Sequence, residues 1–539
     1  MSGEEGAAVK RSGNEQVIGN RIGDRKGKVF LIGAGPGDPK LITVRGLEAI
    51  QQADVVVYDR LASPRLLKHM KPGAEKVFVG KLPDKHMLKQ EEINQLLVDL
   101  ALSGRVVARL KGGDPSVFGR VGEEAETLAE HGIEFDLIPG VTSAIAVPAY
   151  AGIPVTHRDF TSSFSIVTGH EYPNKTYGNV DWDHLAKASG TLVFLMGVAN
   201  IGNIAEALMR GGKDGATPVA LIRWGTWMEQ RTLVGTLETI VEKVAESGFS
   251  SPAVIIVGDV VKLREKIGWF EKKPLFGARV LVTRAREQAS DLVRSIDELG
   301  GEAVECPVIR TEPTTDGALS AALAQAESYD WLLFTSANGV RWFFEACRAS
   351  RTDIRRFARA RIGAVGPKTA EALHERGLIA EALPSAYRGE ALAEALLPLV
   401  KAGDRVLLPR ARVAGSELPE TLRGAGASVD DVPTYETVLS DEGAAEAAEL
   451  LREGKLHAVT FTSSSTVDNL LSVLKRHGFD DPARALAGVP AFTIGPSTTE
   501  RAKAAGIAVA AEAEEATIES LLQALIAYRL QTKLGGDVS

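Results

Sequence analysis

The stretch Val29–Gly46, VFLIGAGPGDPKLITVRG, decides the fold of the first half of this chain. A run of apolar residues ends in glycines at 33, 35 and 37, which is how a buried strand reads when its backbone must turn sharply at the end. Such a loop suits the close approach of a ligand, and a tight turn with no ligand explains it equally well. A dinucleotide fingerprint fails on spacing, because Pro36 and Gly37 follow Gly35.

The same grammar recurs outward from this loop. KVFLIGAG, ADVVVYD, RVVARLKGG, FSIVTGH, GTLVFLMG and AVIIVGD alternate with Ala/Leu/Glu-rich segments of helical spacing. That alternation predicts an α/β fold with buried, mostly parallel strands. Arg109–Glu124, RLKGGDPSVFGRVGEE, carries a second strand into a Gly-Gly-Asp turn, and two glycine turns at strand ends predict a ligand crevice. Pro139–Phe160, PGVTSAIAVPAYAGIPVTHRDF, adds a Thr-Ser pair and a Thr-His-Arg cluster between prolines that restrict the backbone.

At 539 residues the chain exceeds one hydrophobic core, so two or three domains are expected. Apolar residues at 45% against 24% charged predict packed cores, and a net charge of -8 argues against a nucleic-acid binder. Cys306 and Cys347 are the only cysteines, which excludes a thiolate metal cluster and fits a reducing cytoplasm; no metal is expected. No apolar run reaches membrane-spanning length, and the polar residues 1–28 read as a flexible tail without a signal peptide. Gly268–Gly277, GWFEKKPLFG, reads as a linker between domains at 29–267 and 278–530, with residues 531–539 as a short tail.

The second half echoes itself. VLVTRARE at Val280 returns as VLLPRARV at Val406, FTSANGV at Phe334 as FTSSSTV at Phe461, and AVGPKTAEAL at Ala364 as TIGPSTTERA at Thr493, at offsets of 126, 127 and 129 residues. Ordered matches at nearly one offset predict two similar α/β lobes with a cleft between them as the natural site.

GAGPGDP, VVYDRL, VGK, QEEINQLL, LKGGDPSVFGR with EE, PGVTSA, GIPVTHRD, VTGH and the Met-Gly after TLVFL resemble, in this order, the uroporphyrinogen-III C-methyltransferases, from Val29 to about Lys266. The resemblance implies a two-lobed tetrapyrrole-methylase domain that methylates uroporphyrinogen III at C2 and C7. S-adenosyl-L-methionine is then the donor, S-adenosyl-L-homocysteine its product and precorrin-2 the tetrapyrrole product, toward sirohaem or cobalamin. Cofactor contacts are implied for Pro36, Gly112, Gly113, Asp114, Val117, Thr142, Ser143, Met196 and Gly225. A carboxylate such as Asp114 suits ribose hydroxyls; core filling by Met196 and turn formation by Asp114 are the bland alternatives. Asp59 and Lys81 carry the implied acid-base work, because a pyrrole carbon that takes a methyl must afterwards lose a proton. Lys81 alternatively pairs with a substrate carboxylate or is simply solvated. Arg120, His157 and Arg158 are candidates for the eight substrate carboxylates, with surface salt bridging as the competing reading. The family usually follows VGK with Arg-x-Gly-x-His, whereas this chain has KLPDKH, which leaves loop closure over substrate open.

In the second half, VLVTRARE, PVIRTEP, LLFTSANGV, AVGPKTAEAL, VLLPRAR, PTYETV, VTFTSSSTV and TIGPSTTE resemble the uroporphyrinogen-III synthases. That implies a two-lobed domain with parallel sheets that needs no cofactor and cyclises hydroxymethylbilane while inverting ring D. PVIRTEP and PTYETV would form the crossings between lobes. Tyr435 is the candidate donor to the departing hydroxyl, or a tyrosine packing between lobes. Thr335, Ser336, Asn338, Thr462, Ser463, Gly495 and Ser497 are the candidate carboxylate binders, as hydroxyls and backbone N–H groups at helix starts. The expected partners are small tetrapyrroles and a second copy through the first half, with neither nucleic acid nor membrane. Two rival readings stay open: a methylase of another corrin intermediate or an RNA nucleotide, and a tetrapyrrole-binding regulator.

Overall fold

The structure is a computed structural model that describes residues 27–80, 89–169, 180–188 and 190–536. It divides into two compact units, Met1–Gly277 and Ala278–Ser539.

The first unit contains two five-stranded sheets. Strands β1 (Lys28–Gly33), β2 (Val55–Tyr58), β3 (Glu75–Phe78), β4 (Val107–Lys111) and β5 (Glu134–Ile138) form a sheet in the order β3-β2-β4-β1-β5, parallel throughout. Alternate residues of its strands feed two cores, Val29, Leu31, Val55, Val57 and Val107 on one face and Ile32, Val56, Ala108 and Leu110 on the other. Burial on both faces is why these segments read as unbroken apolar runs.

Strands β6 (Phe164–Thr168), β7 (Thr191–Leu195), β8 (Pro218–Arg223), β9 (Arg231–Thr236) and β10 (Ala253–Val257) form the second sheet in the order β6-β7-β10-β8-β9. Here β6 and β7 are parallel, whereas β7–β10, β10–β8 and β8–β9 are antiparallel, so the expectation of mostly parallel strands holds for the first unit taken together and fails within this sheet. The connection from β8 to β9 is too short for a crossover helix, so the chain doubles back as a hairpin. Residues 268–277 are folded onto this unit. The Phe270 ring lies 4.9 Å from that of Tyr150, Trp269 Nε1 donates to the Ala149 carbonyl at 3.1 Å, and Glu271 accepts from Gln230 and Thr232.

The second unit also contains two sheets. Strands β11 (Arg279–Val282), β12 (Glu302–Glu305), β18 (Ala458–Phe461), β19 (Ala491–Thr493) and β20 (Val509–Glu512) form one, in the order β12-β11-β18-β19-β20. Strands β13 (Ile309–Pro313), β14 (Trp331–Phe334), β15 (Arg361–Ala364), β16 (Arg405–Ala411) and β17 (Ser428–Leu439) form the other, ordered β13-β17-β16-β14-β15. Both sheets are parallel except where β13 runs antiparallel to the second half of β17, Pro313 standing opposite Tyr435. This pair contains most of PVIRTEP and PTYETV, and the chain passes between lobes at its ends.

The lobes are not the two halves of the sequence echo. In one sheet β11, from the first copy, pairs with β18 of the second, which carries β19 on its other side; in the other β16, from the second copy, pairs with β14 of the first, which carries β15 on its other side. Each lobe therefore combines strands of both copies, β11 and β12 with β18, β19 and β20 in one, and β16 and β17 with β13, β14 and β15 in the other.

Candidate active site

The glycine turns after β1 and β4 are locked to each other. Ala34 N–H donates to the Lys111 carbonyl at 2.8 Å, while Gly35 and Gly113 exchange backbone hydrogen bonds of 3.2 and 2.7 Å. Gly35 and Gly113 have φ of +75° and +71°, conformations glycine adopts without strain. Gly33 needs its missing side chain for a different reason: a Cβ there would lie 2.4 Å from the Gly140 nitrogen. Three chain segments thus meet backbone to backbone.

The remainder of the first unit clamps this loop. Trp227 Nε1 donates to the Pro36 carbonyl at 3.2 Å, Asp38 N–H to Thr226 Oγ1 at 3.0 Å, and the Tyr150 hydroxyl to Asp38 Oδ2 at 2.8 Å. Burial, reinforced by the Asp38 charge, pushes the Tyr150 phenol well above its usual value, so it stays a donor.

Beside the loop lies a cavity of about 940 Å³. Of the expected cofactor residues, Pro36, Gly112, Gly113, Val117, Ser143, Met196 and Gly225 line it. Asp114 and Thr142 do not. Asp114 Oδ2 accepts from the Gly140 N–H at 2.9 Å and Oδ1 from the Ser116 N–H at 2.8 Å, so this carboxylate ties two turns together. Thr142 caps the helix Ser143–Tyr150 through the Ala144 N–H. Met196 is 51% exposed, which removes it from the core. Of the six non-glycine residues with positive φ among the described residues, Phe118, Arg120, Met196 and Trp224 line this cavity. Strained backbone of that kind collects at functional sites.

Asp59 also lines the cavity, just beyond β2, with Oδ1 accepting from the Leu61 N–H at 3.0 Å and Oδ2 from Arg109 Nη2 at 3.1 Å. Behind it is a group that sequence reasoning missed. Arg109 and Lys111, two apart on β4 and so on one face of the sheet, are both buried, as is Glu124 of the helix Val121–Glu130. Glu124 Oε1 accepts from Lys111 Nζ at 2.7 Å and from Gln90 at 3.2 Å. Burial draws the Lys111 ammonium below the ordinary lysine range, with Glu124 pulling it back. The available signal was two cations at alternating positions in an otherwise apolar strand, together with the pair Glu123-Glu124 at a helix start.

Arg120 lines the cavity and forks onto Glu123 at 2.8 and 2.6 Å. His157 and Arg158 are not among the residues lining it; His157 accepts from the Asp159 N–H at 3.2 Å and packs on Phe160. Lys81 and His86 lie outside the described residues.

In the second unit, the expected carboxylate binders sit where parallel strands give way to helices, the usual position of ligand sites in such sheets. Ser336 caps the helix Ala337–Ala349, accepting from the Gly339 N–H at 3.0 Å, and its Oγ lies 2.9 Å from the Tyr435 hydroxyl; Thr335 and Asn338 flank it, half-buried. In the other lobe Thr462 and Ser463 precede the helix Ser464–Arg476, and Gly495 and Ser497 begin the helix Pro496–Ala504. Ser464 Oγ joins these two starts by donating to the Ser497 carbonyl at 3.0 Å. Tyr435 is buried on β17 with its hydroxyl at the helix start of Ser336. Both cysteines are buried free thiols, pushed by burial up to about 12 at Cys306 and about 11 at Cys347.

Comparison with known proteins gives two family matches: tetrapyrrole (corrin/porphyrin) methylases over residues 28–241, and uroporphyrinogen-III synthase HemD over 290–523. Among similar proteins, the uroporphyrinogen-III C-methyltransferase of Priestia megaterium is 56% identical over 235 residues, covering 44% of this chain and 98% of its own length. An S-adenosyl-L-methionine-dependent uroporphyrinogen III methyltransferase of Methanosarcina barkeri is 52% identical over 242 residues, covering 45% and 95%. The porphyrin biosynthesis protein HemD of Ruminiclostridium josui matches across both units at 42% identity over 501 residues, covering 93% of this chain and 98% of the relative. The chain belongs to the HemD-type porphyrin-biosynthesis proteins in which a tetrapyrrole methylase is fused to a uroporphyrinogen-III synthase.

Proposed function

We propose that this protein cyclises hydroxymethylbilane to uroporphyrinogen III in its second unit and methylates uroporphyrinogen III at C2 and C7 in its first, giving precorrin-2. The observation that carries the methylase half is the cavity, which joins bare glycine backbone to a carboxylate and cations in a single wall. S-adenosyl-L-methionine supplies, when bound, a methyl group on a sulfonium. The residues fit it: Pro36, Gly112, Gly113, Ser143, Met196 and Gly225 line the cavity, with glycine backbone at three of these positions leaving room for close approach. Asp114 and Thr142 serve by shaping the turns.

This chain's side chains then divide the remaining tasks. Asp59 accepts the proton that the methylated ring must lose, and Arg120 presents a guanidinium to a substrate carboxylate. Lys81 is proposed as a second proton-handling group. Holding the reacting atoms in line supplies most of the acceleration. In the second unit Tyr435 donates to the leaving hydroxyl, while Thr335, Ser336, Asn338, Thr462, Ser463, Gly495 and Ser497 hold carboxylates and orient the bilane. The same reading makes the protein a cytoplasmic homodimer that pairs through its first unit.

The test is incubation of the intact protein with hydroxymethylbilane, with and without S-adenosyl-L-methionine, the products being resolved. Isomer III without the donor and precorrin-2 with it are expected. Isomer I alone would overturn the synthase assignment, and absence of methylated product from supplied uroporphyrinogen III would overturn the methylase assignment.

A further inference from the structure

Asp59 is half-buried on the cavity wall, and in the proposed reaction a substrate with eight carboxylates settles beside it, so the carboxylate needs a fixed partner of opposite charge. The chain answers with Arg109, only 3% exposed, whose guanidinium reaches three acceptors: the Leu110 carbonyl at 2.8 Å, Asp59 Oδ2 at 3.1 Å and Glu124 Oε1 at 3.4 Å. We infer that Arg109 is the positioning residue of the methylase base: it fixes the Asp59 carboxylate against the cavity wall and supplies its counter-charge while substrate is bound. The inference rests on the reading of Asp59 as base.

An arginine suits this place better than a lysine. The guanidinium stays charged across the whole working pH range and offers separate N–H groups to separate acceptors in a rigid plane. Neighbouring Lys111 shows the contrast, since burial lowers its hold on a proton. With Leu61 N–H on Oδ1 and Arg109 on Oδ2, both oxygens of Asp59 are held, yet each keeps a lone pair for a proton arriving from the cavity. Glu124, fully buried, sets how much of the Arg109 charge reaches Asp59, because it shares that guanidinium while also holding Lys111. Among the described residues, the charged groups beside Asp59 include Arg109 and Lys111 from β4 and Glu124 from the helix behind, with Lys89, Glu91 and Arg120 on the same cavity.

The arrangement predicts opposite displacements from two substitutions. Removing the cation in Arg109→Met raises the proton affinity of Asp59, so the acid limb of the kcat/KM profile for methyl transfer moves to higher pH, by about one unit for each tenfold gain in affinity; Arg109→Lys restores part of the displacement. Removing the competing anion in Glu124→Gln leaves Arg109 to Asp59 alone and moves the limb to lower pH. Full-length variants are compared with the parent, folding is followed by thermal melting, and S-adenosyl-L-homocysteine binding by calorimetry serves as the probe of an intact cofactor cavity. If Arg109→Met does not fold, Glu124→Gln carries the test. Acid limbs coincident with the parent's in the folded variants, while Asp59→Asn is inactive, overturn the role of Arg109 and leave the base standing. An Asp59→Asn enzyme of undiminished rate overturns the base and, with it, the role given to Arg109.

Discussion

Gly33 shows how much one missing side chain can control. Its Cα lies where β1 passes into the loop, facing the backbone of Gly140 and the carbonyl of Gly113, and neither neighbour can rotate away as a side-chain tip would. Gly33→Ala is expected to destabilise the first unit by about 3 kcal/mol, the upper end for overpacking against rigid surroundings, as a lowered melting transition with weakened S-adenosyl-L-homocysteine binding. An unchanged transition would mean that the loop is looser than its geometry implies. At this scale the sequence was partly legible. Glycine at 33, 35 and 37 announced a close approach, whereas Asp114, which reads as a ligand carboxylate, spends its oxygens on Gly140 and Ser116. Arg109 was illegible in its role, because nothing local to RLKGGD shows that Asp59, fifty residues earlier, ends beside it.

At the scale of elements, β4 and the helix Ala337–Ala349 carry the two sites differently. β4 is buried along all five residues and still holds an arginine and a lysine, tolerable because Glu124 and Asp59 supply counter-charges. The helix begins at Ser336, whose hydroxyl caps Gly339 and meets the Tyr435 hydroxyl. Ser336→Ala is the control for that contact, since losing the cap alone destabilises by about 1 kcal/mol. Tyr435→Phe should lower the rate of isomer III formation at least tenfold, about 1.4 kcal/mol in the barrier, and leave the melting transition within about 1 kcal/mol of the parent. Full synthase activity in that variant would reduce Tyr435 to a packing residue. Strand positions were legible from apolar runs, but strand direction in the second sheet was not: AVIIVGD reads the same whether its neighbours run with it or against it. Direction is set by where the connections lead, which is a property of the whole sheet.

Over the whole molecule, the short segment after Gly268 tests how the first unit ends. GWFEKKPLFG reads as a linker from its charge, proline and glycine, yet Phe270 packs on Tyr150 and Glu271 holds Gln230, Thr232 and Arg264. A fragment ending at 277 should therefore be more stable than one ending at 268, by about 2–3 kcal/mol for the Phe270 side chain alone, measured by urea unfolding of both. Equal midpoints would return the segment to the status of a tether. By itself the sequence determined the α/β class, the two units and the chemistry each is built for, because buried strands, glycine turns and capped helix starts are local signals and their order along the chain is preserved. It also disclosed that the second half contains two copies of one pattern. Only the tertiary structure decided that each lobe combines strands from both copies, and that Asp59, Arg109 and Glu124 form a single group. Strand exchange and buried ion pairing join residues far apart in sequence, and the energy that selects them lies in contacts formed only when the sheets close.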